Sequence, residues 1–269
     1  MERPKSVVDN GRKSEFMEDI QQLSVQNQVF RTGKIIRRPA GEWSPSVHRL
    51  LLFLEEKGIQ VPHPLGIENG QEMLTFVEGE FVHPYKWTDE ALFAVGEMVA
   101  RLHRAARDFS GCPEDKWKPW YLREIGKNPP VYGHGDITPW NMVTENGIPK
   151  ALIDWEYAGP IDPVVELCRV CWLFPQLVDD DLAALYDLPD AQKRAEQVRM
   201  ICDGYGLSHS QRHSIVEGIL ELIICETAHE AIDPGLTFES TGSLWGFAWR
   251  SRSLYWIWRN RKVLEEALI

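Results

Sequence analysis

Long apolar runs, a surplus of basic residues and an even set of cysteines are all missing from this 269-residue chain. No stretch approaches the roughly 18 apolar residues that a membrane-spanning helix needs. The opening Met1-Glu2-Arg3-Pro4-Lys5 lacks the apolar core of a signal peptide. Lys and Arg number 29 against 40 Asp and Glu, a net charge of −11. A surface that acidic repels phosphate backbones and anionic lipid, so neither nucleic acid nor a membrane is an expected partner. Cys112, Cys168, Cys171, Cys202 and Cys225 are an odd set without a framework spacing. They suit free thiols in a reducing compartment, and a cytoplasmic protein is expected. Internal repeats and low-complexity tracts are also absent from the sequence.

What is present is an ordinary globular composition, 43% hydrophobic and 26% charged, in a length that suits one large domain or two small ones. Val29-Phe30-Arg31 and Lys34-Ile35-Ile36-Arg37 are short β-type runs around Thr32-Gly33, which predicts a hairpin that Pro39 ends. Val47, Leu50, Leu51 and Leu54 recur at helical spacing after Ser44, with Gly58 as the stop. A turn-rich connection is expected over 61–67, then a strand over Glu72–Val77. Thr88 is an N-cap candidate for a helix running to Arg107 on Leu92, Val95, Val99 and Leu102. Beyond Pro163 the pattern is mostly helical, with breaks expected at Asp179-Asp180-Asp181, Gly204, Gly206, Pro234 and Gly242. The expected class is α+β, with a β-rich lobe over residues 1–80 and a larger, mostly helical lobe over 81–269.

One segment carries chemistry. Tyr132-Gly133-His134-Gly135-Asp136 leads through Trp140-Asn141 into two apolar runs separated by Asn146-Gly147, and the second run ends at Ile153-Asp154-Trp155-Glu156. Asn-Gly between apolar runs is a strong hairpin signal. A hairpin turning there sets Asn141 and Asp154 side by side at its open end. Two hard oxygen donors so placed suit Mg2+, which completes its shell with water or phosphate. Asp136, five residues before Asn141, stands on the loop entering the hairpin, where a carboxylate can reach a substrate hydroxyl beside the metal.

The pattern His-x-Asp-x-x-x-x-Asn followed by Ile-Asp resembles the catalytic loop and metal aspartate of the protein-kinase-like superfamily. With Gly135 in the loop and Trp155-Glu156 after Asp154, the chain is most similar to its aminoglycoside phosphotransferase and choline kinase branch. Similar text continues over Leu74–Glu80, Leu102-His103-Arg104 and Gly159–Pro163, so the resemblance spans roughly residues 25–175. It implies a bilobal protein-kinase-like fold and a small-molecule phosphotransferase using Mg2+ with ATP or GTP. It further implies Asp136 as the catalytic aspartate, Asn141 and Asp154 as metal ligands, and His134 as a brace of the loop. By the same resemblance Thr75, Phe76, Val77 and Glu78 form the hinge that holds the nucleobase. Where the family presents a phosphate-contacting lysine the chain has Arg37, with Lys34 and Arg38 nearby. The implied acceptor is a small hydroxylated molecule, cationic if it is aminoglycoside-like; choline, amino sugars and macrolides stay open, as does a monomer or a dimer.

Two departures stand out. Ser24-Val25-Gln26-Asn27-Gln28 replaces a glycine-rich phosphate-covering loop, and Val47 and His48 stand where the glutamate partner of the lysine is expected. They motivate an alternative, a kinase-fold pseudoenzyme that binds nucleotide or ligand without turnover. A third reading is a metal-dependent hydrolase using His134 and Asp136, to which the hairpin logic gives little weight. Cys168-x-x-Cys171 lacks a second pair, and a buried apolar role is expected. Asp162 and Glu166, near a helix start, are expected as caps. The tryptophan-rich stretch from Trp245 to Trp258 is expected mostly to pack as helix; the less favoured alternative has one or two rings lining an acceptor pocket. Glu221, Glu226, Glu230, Glu239 and the aspartates at 179–181 read either as negative charge for such a pocket or, equally well, as solvated surface charges.

Overall fold

A computed structural model describes residues 20–24, 28–237 and 239–269. The part of the expected β-rich lobe before Ile20, and Val25-Gln26-Asn27 of the segment that replaces a glycine-rich loop, lie outside the described residues. Five antiparallel strands form the first sheet: β1 (Ile20–Ser24), β2 (Val29–Thr32), β3 (Ile35–Pro39), β4 (Pro64–Glu68) and β5 (Gln71–Thr75), in spatial order β1-β2-β3-β5-β4. The β2–β3 hairpin turns at Gly33, whose φ of 59° needs a residue without a Cβ penalty.

Strand β4 departs from the turn expected over 61–67. It is an edge strand, so Pro64 at its start removes no ladder bond. A register shift at Gly66 lets it pair with β5 despite the irregular sequence. Helix α1 (Ser44–Glu56) backs the sheet, burying Val47, Leu50, Leu51 and Leu54 on one stripe. The 3.6-residue period that predicts the helix is also the period of its buried face.

The remainder is helical around a second, smaller β element. Helix α2 (Asp89–Ala106) starts as expected, with the Thr88 side chain accepting from the Ala91 N–H. Two short ladders follow: β6 (Val131–Gly133) with β9 (Gly159–Ile161), and β7 (Met142–Glu145) with β8 (Ile148–Leu152). Then come α3 (Pro163–Leu173), α4 (Asp180–Leu185), α5 (Ala191–Tyr205), α6 (His209–Arg212), α7 (Ile215–Ile232), α8 (Trp245–Arg259) and α9 (Arg261–Leu268). Among the described residues no helix is long and apolar enough to cross a membrane.

Gly204 does not break its helix. It lies inside α5 because a Cβ there would sit 2.0 Å from the Phe93 carbonyl of α2, and Gly96 faces the Ile201 carbonyl at 2.2 Å in the same way. The pair of glycines sets how closely α2 and α5 approach, so packing overrides low helix propensity. Gly206, at φ 85°, ends α5 as expected. Cys168, Cys171 and Cys202 are buried and free, with 3.9 Å between the sulfurs of Cys171 and Cys202. Burial pushes the Cys168 thiol well up, so these are core side chains.

Candidate active site

The turn between β7 and β8 is Asn146-Gly147, both at positive φ (54° and 78°), as a tight hairpin requires. At its open end the Ile153 N–H donates to the Asn141 carbonyl at 2.9 Å, which brings residues 141 and 154 together. Asp154 then adopts a left-handed backbone, φ 63° and ψ 65°. A non-glycine residue held there is strained, and such strain concentrates where a side chain must be aimed. Its carboxylate is 38% exposed and faces Arg38 Nη1 across the cleft.

The loop before the hairpin is fixed from several sides. Gly135 has φ 81°, and a Cβ on it would lie 2.1 Å from the Tyr157 carbonyl, so only glycine lets the loop pass. His134 is fully buried; Nε2–H donates to the Ile153 carbonyl at 3.0 Å and Nδ1 accepts from the Asp136 N–H at 3.2 Å. One neutral tautomer satisfies both bonds, and burial lowers its pKa in keeping with that. The Gly135 N–H donates to Glu166 Oε1, while Glu166 Oε2 meets His103 Nε2 at 2.6 Å. His103 Nδ1 in turn meets the Tyr205 hydroxyl at 2.8 Å.

Asp162 caps α3 as expected, its side chain accepting from the Val164 N–H at 2.8 Å. Glu166 is not a cap. It is a fully buried anchor of the loop backbone, tying it to α2 and α5. Burial alone would raise its pKa, but the His103 hydrogen bond and neighbouring charges hold it low.

Asp136 is gripped at both oxygens. Asn141 Nδ2 donates to Oδ2 at 3.0 Å and to the Asp136 carbonyl at 3.1 Å, while Arg169 Nη2 donates to Oδ1 at 2.9 Å. Arg169 Nη1 contacts Glu226 and, at 3.0 Å, the Tyr121 hydroxyl. Arg250 continues the chain, with Nη2 2.9 Å from Glu226 Oε1 and 2.6 Å from Glu230 Oε1. Of the glutamates considered as a negative lining for an acceptor pocket, Glu226 and Glu230 are therefore spent on Arg169 of α3 and Arg250 of α8. Asp179 and Asp181 are likewise paired with Arg252, and Asp180 with Arg259.

Above this floor lies a cavity of about 760 Å3. Ile36, Leu74, Thr75, Phe76 and Val77 line it from the sheet side, and Asn141, Ile153 and Asp154 from the hairpin side. Glu78 turns its side chain out to Arg31, at 3.3 Å and 64% exposed.

Arg37 is a correction: it is exposed on the other side of β3, where Nη1 approaches Met73 Sδ at 3.1 Å. Side chains alternate along a strand, so the residue that shares the cavity face with Ile36 is Arg38. Arg38 contacts both Asp154 and Glu72. Glu72 is directly opposite it on β5 and also takes His48 Nε2 at 3.1 Å. The glutamate partner missing from α1 is thus supplied by a strand. Burial opposes the Arg38 charge, but these two carboxylates raise its pKa further.

For a cation, the floor offers one carboxylate, Asp154, and one amide oxygen, Asn141. No group of three or more His, Cys, Asp or Glu that could hold a metal occurs among the described residues. That sparse hard-oxygen set fits Mg2+ bound through substrate phosphates rather than an all-protein cage.

An antiparallel sheet with one helix, a helical body, and between them a cleft floored by His-Gly-Asp and Ile-Asp loops define a protein-kinase-like phosphotransferase fold. Residues 114–197 match the model of the phosphotransferase enzyme family that includes the aminoglycoside phosphotransferases. The trifolitoxin immunity protein of Rhizobium leguminosarum bv. trifolii is 42% identical over 246 residues, covering 89% of this chain and 94% of that protein. An amicoumacin kinase in complex with AMP-PNP, Ca2+ and Ami superposes with a TM-score of 0.66 at 14% identity, over 93% of this chain and 89% of that one. A choline/ethanolamine kinase family protein from Mesorhizobium loti gives 0.57 at 14% identity, over 94% and 93%. The chain belongs to the phosphotransferase enzyme family.

Proposed function

We propose that the protein transfers the γ-phosphate of ATP or GTP to a hydroxyl of a small molecule. The observation that carries this reading is the convergence of Asp136, Asn141, Asp154 and Arg38 at one end of the 760 Å3 cleft. The similar proteins support it, one being a kinase in complex with AMP-PNP and Ca2+. A relative described as an immunity protein supports an acceptor that is toxic to the cell.

In this reading Ile36 and Leu74 on the sheet side and Val143 and Ile153 on the hairpin side sandwich the base, and the backbone of Thr75, Phe76, Val77 and Glu78 holds its edge. Arg38, kept charged by Glu72, faces the phosphates and bridges their oxygens with its two-pronged guanidinium. Asn141 and Asp154 hold Mg2+, which when bound offsets the negative charge of the phosphate oxygens. Asp136 orients the acceptor hydroxyl and takes its proton as the oxygen attacks the γ-phosphorus; the bond to the β–γ bridging oxygen breaks and the nucleoside diphosphate leaves. Asn141 and Arg169 fix both oxygens of that carboxylate, so the attacking hydroxyl meets a carboxylate already in place. Residues 1–80 serve as the nucleotide-binding lobe and 81–269 as the catalytic and acceptor-binding lobe.

Calorimetric titration of MgATP and MgGTP into wild type and Asp154→Asn tests the reading. Metal-dependent binding of at least one nucleotide, lost in the variant, is the expected result. Failure of the folded wild type to bind either nucleotide would overturn it and leave a ligand-binding module without turnover.

A further inference from the structure

A second cavity, of about 540 Å3, shares Trp140 with the nucleotide cleft and opens toward α8. Its other walls come from the segment before α2, the end of α3, the region of α4 and the start of α8. Trp140, Trp172, Trp245 and Trp249 line it together with His83, Tyr186 and several aliphatic residues, and no Asp, Glu, Lys or Arg is among its lining residues. Trp172 is one helical turn beyond Arg169, the residue that holds Asp136, and Trp140 directly precedes Asn141, so the cavity borders the loop that carries Asp136.

The rings are arranged as recognition surfaces. Trp172 and Trp249 stack with centroids 5.0 Å apart, and His83 meets Trp140 edge to face at 5.4 Å. Trp140 and Trp245 leave 42% and 52% of their area exposed, more than packing alone accounts for. Two polar atoms on this lining are buried without a hydrogen-bond partner, the indole N–H of Trp172 and Nδ1 of His83. Trp172 itself is only 1% exposed. A buried N–H left unpaired carries an uncompensated desolvation cost, which a ligand oxygen would recover.

We propose that this cavity seats the phosphate acceptor, and that the acceptor is a drug-sized alcohol with a flat aromatic or conjugated body rather than a polycation. This rests on the phosphotransferase reading above. A polycationic amino sugar needs carboxylates to replace its water. Asp179, Asp180 and Asp181, which lie between the lining residues Val178 and Leu182, are paired with Arg252 and Arg259, and Glu226 and Glu230 with Arg250. A small quaternary ammonium matches aromatic faces but fills a minor part of 540 Å3. A flat ring system covers the Trp faces, and an oxygen on it answers the Trp172 N–H.

The test titrates naphthylethanol, kanamycin and choline into the full chain. The variants are Trp249→Ala, Trp172→Phe, which keeps a ring and removes the N–H, and Leu185→Glu, which places a charge on a lining residue already 69% exposed and so spares the fold. Naphthylethanol is expected to bind wild type more tightly than kanamycin or choline. Its affinity should fall about tenfold or more in Trp249→Ala and Leu185→Glu. Tighter binding of kanamycin or choline, no heat from naphthylethanol up to millimolar concentration, or naphthylethanol binding that Leu185→Glu leaves unchanged would each overturn the proposal. MgATP titrated into the same samples separates the two readings. Loss of MgATP binding by wild type strikes the phosphotransferase reading, whereas the alcohol series strikes or supports only the acceptor class.

Discussion

Arg169 Nη2 lies 2.9 Å from Asp136 Oδ1, while the other arm of the same guanidinium contacts Glu226 and the Tyr121 hydroxyl. One planar fork thus joins the Asp136 carboxylate to α7, and through Arg250 to α8, the helix that carries Trp245 and Trp249. Arginine can make three such contacts at once because its donors are rigidly spread; a lysine ammonium is a point charge. The pair is buried, with Arg169 5% and Glu226 6% exposed, so neither charge has water to fall back on if its partner goes.

Arg169→Lys should therefore separate positioning from binding. The lysine keeps the charge but cannot span Asp136, Tyr121 and Glu226 together. Turnover, read as ADP release with saturating MgATP, is expected to fall about tenfold or more, while calorimetric MgATP affinity stays within about twofold. Equal losses in both would mean that the arginine merely supports the fold.

Acid should expose the same network. Burial alone would raise the Glu226 pKa, yet Arg169, Arg250 and Tyr121 hold it below the ordinary 4.5. Glu166 is lowered likewise by His103 against its burial. A carboxyl with a depressed folded pKa binds more protons unfolded than folded in this range. Its stabilisation is complete above about 4.5 and drains away as pH falls toward the folded value. The melting temperature followed by circular dichroism should drop more steeply below about pH 4.5. Glu226→Gln should melt lower at neutral pH but show a shallower acid slope; an unchanged slope would show that Glu226 is not one of the linked groups.

The α2–α5 crossing makes a sharper packing test. Gly204→Ala puts a Cβ 2.0 Å from a backbone carbonyl that cannot swing away, so it should cost about 2–3 kcal/mol. Gly206→Ala, at φ 85° with nothing within 4 Å, meets only backbone strain of about 1–2 kcal/mol. Urea denaturation midpoints should rank Gly204→Ala as the more damaging, and the reverse order would show that the helices separate readily.

Much of this was legible in the sequence because local chemistry dictated it. Asn146-Gly147 fixed the hairpin and with it the approach of residue 141 to residue 154, and Thr88 fixed the start of α2. What escaped depended on partners remote in the chain. The edge strand β4 hides behind Pro64 and Gly66, because its pairing comes from β5 rather than from its own propensity. Glu166 reads as a helix cap until the fold brings Gly135 and His103 against it. Glu226 reads as a surface charge until Arg169 and Arg250 surround it. The Gly204 break fails for the same reason: a glycine demanded by a neighbouring helix looks like one that ends its own.

Arg37 and Arg38 are adjacent, identical in type and opposite in placement, which makes them a controlled pair. Family spacing points to Arg37, but the alternation along β3 puts Arg38 on the face of Ile36, beside Asp154 and above the cleft floor. If Arg38 is the phosphate contact, Arg38→Ala removes a charge-assisted interaction of about 1.5–3 kcal/mol and should weaken MgATP binding about tenfold or more. Arg37→Ala, whose side chain lies on the exposed face, should bind MgATP within about twofold of wild type. Arg38→Ala also strips Glu72 of a buried partner, so its stability must be measured alongside. The double variant Arg38→Met/Glu72→Leu removes both charges, relieves that penalty, and should still bind weakly. Recovery of MgATP affinity in the double variant would mean that Arg38 serves Glu72 and not the nucleotide, and a loss confined to Arg37→Ala would return the role to the residue that the spacing favours.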